Sequence, residues 1–241
     1  MSVPHIYQPP PHCAAEILYE DSHLVIVNKP GGLLSVPGRG EDKQDCMLHR
    51  LQTEYADAQP VHRLDMDTSG ILLFARNADA QRAMSQLFEQ RRIHKTYLAR
   101  VWGLPDETSG SINLPLIADW PNRPRQKIDF NRGKAALTHY ELIVSNRQHS
   151  LLQLTPVTGR SHQLRVHMSA LGHPILGDQL YGTAMSRCAS QRLLLHAEQL
   201  SFEHPFTAKP ITLKCRAEFA LAESDLVTPT EACAATDRPA L

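Results

Sequence analysis

Two short apolar runs restrict this chain more than any other feature. Leu24-Val25-Ile26-Val27-Asn28 and Ile71-Leu72-Leu73-Phe74-Ala75 carry a single polar side chain between them. Runs of this length, bounded by turn signals, read as buried strands. The first stops at Lys29-Pro30-Gly31-Gly32, where proline lacks a ladder donor and the glycines favour a turn. The second emerges from a loop that opens at Gly70. Residues 95–102 alternate, with Tyr97, Ala99 and Val101 facing one way and Leu98, Arg100 and Trp102 the other. Residues 138–144, 151–155, 193–202 and 211–217 also have strand character.

Helical periodicity is confined to two segments. Asn77 can cap a helix running to about residue 91, with Ala80, Met84, Leu87 and Phe88 on one face. In GRSHQLRVHMSALGHP (159–174), Ser161 is the expected N-cap, and Leu164, Met168 and Leu171 form the apolar stripe. Gly172 suits the position past the last turn, and Pro174 blocks continuation. Arg165 and Ser169 lie beside the stripe, placed for the margin of a cleft. Strands outnumber helices, so the expected class is α+β around a mixed, mostly antiparallel sheet. Residues 1–14, with four prolines, read as an irregular leader, 15–220 as one domain, and the acid- and alanine-rich 221–241 as a disordered tail.

At 42% hydrophobic and 21% charged residues, the composition is that of an ordinary soluble protein. No run approaches a membrane span, and no signal-peptide pattern opens the chain. The five cysteines are scattered without a CxxC pair, which fits a reduced, cytoplasmic protein. The net charge of zero hides an asymmetry. Residues 1–217 hold 24 bases and 20 acids, and the acids gather after residue 217. Arg123, Arg125, Lys127, Arg132 and Lys134 fall within twelve residues, opposed by Asp129 alone. Such a patch suits a phosphate backbone, although a solvated face would have the same composition.

VHRLDMDTSG (61–70) gathers the polar chemistry. A metal is the first reading to weigh, because the chain has thirteen histidines. There is no HExxH motif and no cysteine–histidine cluster, and His162 and His167 lie about 140° apart around a helix. Asp65 and Asp67 lack the glycine motifs that usually accompany a magnesium site. The remaining readings of Asp65 are a salt-bridge partner and an oriented, ionised carboxylate used as nucleophile or base. Its loop enters a buried strand, which can hold a side chain at a cleft, and Arg165 is a basic residue that would keep the carboxylate ionised if it reached it. Tyr97 is a core residue or a ring that stacks on a planar ligand.

The pattern as a whole resembles the RluA-type pseudouridine synthases. VHRLDMDTSG is similar to their signature loop. LVIVNKPGGLLSVPG (24–38), HKTYLARVWG (94–103), GRSHQLRVHMSALGHPILGD (159–178) and RLLLHAE (192–198) resemble further family motifs in family order. Together they cover most of residues 17–217. The resemblance implies the pseudouridine synthase fold with an active-site cleft across the sheet, and isomerisation of uridine in RNA without cofactor or metal. It makes Asp65 the catalytic aspartate and Arg165 its partner. Tyr97 would stack on the base and take the C5 proton, and Arg63 would help extrude the uridine. Arg123, Arg125 and Lys127 are the candidate RNA-binding residues of the basic patch. LPLIADWPNRPRQK (114–127), and a short N-terminus without an S4 domain, are similar to the family member that modifies both a tRNA anticodon stem-loop and a 23S rRNA hairpin. The implied partners are those stem-loops, with no membrane and a monomer as the default. A catalytically silent RNA-binding protein and a hydrolytic nucleosidase using Asp65 with Asp67 are the competing readings.

Overall fold

The structure, a computed structural model, describes residues 7–146 and 148–220. The expected tail at 221–241 and the first six residues of the expected leader lie outside the described residues. Residues 7–15 have no regular secondary structure, yet they are anchored. The Tyr7 hydroxyl donates to Asp45 O and accepts from Leu34 N, and the buried Arg50 donates to the carbonyls of Pro10 and Pro11.

The described chain forms two compact units. The first runs up to His94 and includes Gln199–Cys215. It opens with β1 (Glu16–Glu20), β2 (Leu24–Lys29), the short helix α1 (Met47–Gln52), β3 (Gln59–Pro60), β4 (Ser69–Ala75) and α2 (Ala78–Glu89). Asp21 shapes the β1–β2 turn by accepting the N–H groups of His23 and Leu24 through one carboxylate oxygen. β2 pairs antiparallel with β1 and β4, and β3 also pairs with β4. Every residue of β4 is buried, which explains why its apolar residues do not alternate with polar ones. Ile71, Leu73 and Ala75 join Leu24 and Ile26 in a core closed by Ala80, Met84 and Leu87 of α2. Burying side chains of this kind contributes about 1.5–3 kcal/mol each. α2 begins as expected, with Asn77 Oδ1 accepting the Ala80 N–H at 2.8 Å.

The second unit comprises Lys95–Glu198 and the described residues from Arg216 on. β5 (His94–Trp102) leads into it, followed by β6 (Ser109–Asn113), β7 (Leu116–Ala118), β8 (Gln126–Ile128), β9 (Leu137–Ser145) and β10 (His149–Pro156). Then come α3 (Gln163–Ala170), α4 (Ala184–Cys188) and β11 (Leu195–Glu203). At Gln199 the chain re-enters the first unit, where β11 pairs with β12 (Pro210–Lys214). The sheet of the second unit has the order β5-β10-β9-β6, and its neighbouring strands are antiparallel. Ala99 and Val101, with Tyr97 at the margin, pack with Leu164 and Met168 of α3. Leu98, with Trp102 at its margin, packs on the other face with Leu151, Leu194 and Phe219. The alternation of residues 95–102 therefore sorts the two faces as expected, and the α+β class holds.

The start of α3 differs from expectation. Ser161 does not cap it. His162 occupies the N-cap position in a left-handed conformation (φ 53°, ψ 17°) with no capping side-chain bond. A non-glycine residue there costs on the order of 1–3 kcal/mol and requires support from its surroundings. The support is tertiary: His162 Nδ1 lies 2.6 Å from the Tyr181 hydroxyl, and Gln163 Oε1 accepts the Arg160 N–H at 3.0 Å. The other end follows the sequence, with Gly172 at φ 89° where a side chain would be strained.

Candidate active site

Residues 61–68 join β3 to β4, and this loop is fixed at five points. Leu64 is buried, and its N–H and carbonyl both bond Ser35 Oγ, at 3.1 and 2.8 Å. Lys29 Nζ donates to Met66 O at 2.9 Å. The Thr68 N–H returns to Asp65 O at 3.1 Å, closing a turn around the aspartate. Upstream, His62 Nε2 accepts the Leu73 N–H at 3.1 Å, and its ring lies 4.6 Å from that of Phe88. Between these anchors Arg63 is exposed and Asp65 is half-buried. The short clamped loop thus presents a guanidinium to solvent and a carboxylate at its rim.

Lys29 is one of two loop anchors, with Ser35, that sequence reasoning missed. It ends β2 opposite Gly70, which has φ 109°, and its side chain is fully buried. The ammonium donates to the carbonyls of Pro30, Leu33 and Met66 at 2.8, 2.7 and 2.9 Å, one for each proton. Burial pushes its pKa down to about 7, against the opposing fields of Asp67 and Asp65.

In the second unit Tyr97 lies on β5 opposite Leu154, half-buried on the face that packs against α3. Arg165 is 3% exposed, not open at a cleft margin. Its Nε and Nη2 donate to the two carboxylate oxygens of the equally buried Asp178 at 2.8 and 2.7 Å. Asp178 also accepts the N–H groups of Leu180 and Tyr181. This bidentate pair fixes the plane of the guanidinium and leaves the Nη1 edge outside the Asp178 contact. The Tyr181 ring centroid is 5.2 Å from Arg165 Cζ.

The basic patch is a hairpin, β7 pairing with β8 through a turn at Trp120–Asn122. Trp120 is 64% exposed, and Arg123 Cζ sits 3.0 Å from its ring centroid. Arg123, Arg125 and Lys127 are exposed. Asp129, the acid that opposes them, accepts the N–H groups of Arg132 and Asn131, which hold its carboxyl below the usual range. Arg125 stacks toward Tyr181 with Cζ 5.7 Å from the ring centroid, so Arg125 and Arg165 meet the same aromatic ring.

Among the described residues, no group of three or more His, Cys, Asp or Glu is arranged to hold a metal ion, and no helix is long and apolar enough to cross a membrane. Residues 23–170 match the model of a family described as RNA pseudouridylate synthase. The chain belongs to that family. It is 49% identical over 214 residues to the dual-specificity RNA pseudouridine synthase RluA of Escherichia coli K12, covering 88% of this chain and 98% of the relative. It is 52% identical over 204 residues to the protein of the same name from Vibrio vulnificus CMCP6, covering 83% and 82%. The solved structure of human RNA pseudouridylate synthase domain containing 1 superposes with a TM-score of 0.71 at 27% identity, over 100% of both chains.

As a pseudouridylate synthase the enzyme is an isomerase acting on RNA. Sequence reasoning had assigned Asp65, Tyr97, Arg165, Arg63, Arg123, Arg125 and Lys127 to the synthase's site. It did not find Lys29, Ser35, Asp178 or Tyr181, whose bonds hold Met66, Leu64, Arg165 and the Gln126 N–H. Asp178 and Tyr181 stand at or just beyond the end of the motif GRSHQLRVHMSALGHPILGD, and Lys29 and Ser35 lie inside LVIVNKPGGLLSVPG, so place in a motif was the available signal. His167, by contrast, is a core residue of the synthase: fully buried, its ring nitrogens meet Thr138 Oγ1 and Leu114 O, and burial lowers its pKa.

Proposed function

We propose that this synthase converts uridine to pseudouridine in RNA stem-loops, acting on both a tRNA anticodon loop and a 23S rRNA hairpin, in the cytoplasm and as a monomer. Asp65 carries the chemistry. The reaction breaks the N1–C1′ bond, turns the uracil, and joins C5 to C1′, so it needs neither redox change nor external energy. An ionised Asp65 carboxylate either adds to C1′ as N1 leaves and is displaced when C5 bonds C1′, or removes the 2′ proton as N1 leaves to give a glycal and returns that proton when C5 adds. Arg165, held in plane by Asp178, is the basic residue that the second unit contributes. The target uridine leaves its stack at a cost of a few kcal/mol. Arg63 fills the space that the base vacates, and Tyr97 stacks on the base and takes the C5 proton. Arg123, Arg125 and Lys127 hold phosphates, while single-stranded shape sets selectivity.

The observation that carries this reading is the clamped loop. Bonds to Leu64 and Met66 flank Asp65, so the backbone that carries this half-buried carboxylate is held in place while its neighbour Arg63 is exposed. The test is Asp65→Asn, incubated with uridine-containing stem-loop RNA and analysed for a carbodiimide-reactive nucleoside of unchanged mass. The wild type should form it, and the variant should bind RNA but show no turnover. Near-normal turnover by Asp65→Asn would refute the assignment, and release of free uracil by the wild type would make the enzyme a nucleosidase.

A further inference from the structure

We propose that Tyr181 is a positioning residue that links the β7–β8 hairpin to Arg165, so that RNA held by the hairpin sets the geometry of that arginine. The inference rests on the reading of the site given above.

Each polar group of residue 181 leads to a different part of the second unit. Its hydroxyl accepts the Gln126 N–H at 2.7 Å, at the first residue of β8. The same hydroxyl lies 2.6 Å from His162 Nδ1, at the start of α3. The backbone N–H of Tyr181 donates to Asp178 Oδ1 at 3.1 Å, the oxygen that accepts Arg165 Nη2 at 2.7 Å. Its carbonyl accepts from Ser169 Oγ of α3 at 2.9 Å.

The ring completes the link. It faces Arg165 and Arg125 at 5.2 and 5.7 Å, and Arg125 also donates to the carbonyl of the preceding residue, Leu180. It packs on a small core made of Leu116 and Ile128 from the hairpin, Val166 from α3, and Ala136. A phenol ring is rigid beyond two torsions, so a shift of β8 at Gln126 tilts the ring against both guanidinium groups. Asp178 fixes one edge of Arg165; Val166 packs directly on the hairpin core, and Tyr181 is the polar contact that carries movement of β8 to the guanidinium itself. An exposed arginine that binds phosphate and an arginine buried in the site are therefore joined through one side chain.

The test is a double-mutant cycle on the full-length enzyme, with conversion of a uridine-containing stem-loop followed at increasing RNA concentration. Tyr181→Phe keeps the ring and every backbone bond and should lower the rate at saturating RNA about tenfold, with the half-saturating concentration changed less than about threefold. Arg125→Ala should weaken saturation and slow the saturated rate. In the Tyr181→Phe background it should only weaken saturation, a departure from additivity of about fivefold in rate. Ser169→Ala serves as the structural comparator, because it removes another bond to residue 181 without touching the hairpin. It should lower the melting temperature while remaining additive with Arg125→Ala. Should Tyr181→Phe fail to fold, Gln126→Pro deletes the N–H that binds the phenol and should give the same split. Additive rate effects between Tyr181→Phe and Arg125→Ala, or a change confined to the half-saturating concentration, would overturn the link alone. A wild-type enzyme that leaves the stem-loop unconverted would overturn the reading beneath it.

Discussion

Lys29 Nζ and Met66 O lie 2.9 Å apart, and this bond ties the end of β2 to the residue after Asp65. The same ammonium holds Pro30 O and Leu33 O, at the turn that stops β2. Ser35, two residues further on, holds Leu64 on the other side of the aspartate. The KPGG turn and the signature loop are thus one assembly, and the position of Asp65 depends on a lysine that is fully buried.

Lys29→Met keeps most of the side-chain volume and removes all three donors. It leaves three carbonyls without their buried partner, so a loss of stability on the order of 3 kcal/mol is expected. Turnover should fall even below the melting temperature, because Met66 and its neighbour Asp65 lose their fixed position. Urea denaturation and turnover at saturating RNA check the two parts. A variant with wild-type turnover would show that the loop holds its shape without this anchor.

The same residue gives stability a pH dependence of known sign. An unfolded lysine keeps its proton up to the ordinary value of 10.5, whereas buried Lys29 releases it near 7. Between those values the unfolded chain binds more protons, so this residue makes stability rise with pH, by at most about 1.4 kcal/mol per pH unit. Below pH 7 both states are protonated, and the cost of burying the charged form is complete and constant. The stability difference between wild type and Lys29→Met, measured by urea midpoints, should therefore grow in favour of the wild type from pH 7 to about 10. A flat difference would mean that the carbonyls and Asp67 keep the ammonium charged throughout.

Much of this was legible in the sequence, and the exceptions have physical causes. β2, β4 and α2 declare themselves through apolar runs and a capping asparagine. β1 (EILYE) and the two-residue β3 are too short or too mixed to show a period. The start of α3 misled because Ser161 is a good capping residue in isolation, while the bond between His162 and Tyr181 spans nineteen positions. Lys29 reads as punctuation beside proline and glycine, since lysine is almost never fully buried without partners. Asp178 is thirteen residues from Arg165, a separation that no helical or strand period connects. The candidate residues were readable as types; the residues that aim them were not, because aiming is done by tertiary contacts.

Asp178→Ala tests one such contact. Both members of the Arg165–Asp178 pair are at least 97% buried, so removing the carboxylate strands a guanidinium in the interior. The expected loss is about 3–5 kcal/mol, well above that of a surface ion pair. Asp178→Asn retains one acceptor for Arg165 and should lose less. The ordering Ala worse than Asn, read from denaturation midpoints, checks that the pair and not the packing around it carries the effect.

The hairpin can be judged by salt. Arg123 lies over the exposed Trp120 ring, Lys127 is exposed on β8, and the two hairpin acids already have partners, Asp129 with backbone N–H groups and Asp119 with the Asn122 amide. Cations that contact phosphates release counterions on binding, and each lowers the slope of log affinity against log salt by about 0.7–0.9. The triple variant Arg123→Gln, Arg125→Gln and Lys127→Gln should therefore flatten the slope for stem-loop binding by about 2–3, while affinity falls most at low salt. Such a change would separate phosphate contact from loss of fold, since a misfolded hairpin would weaken binding without a graded response among the single variants. An unchanged slope with the triple variant still folded would place the RNA-binding surface on another face of the enzyme.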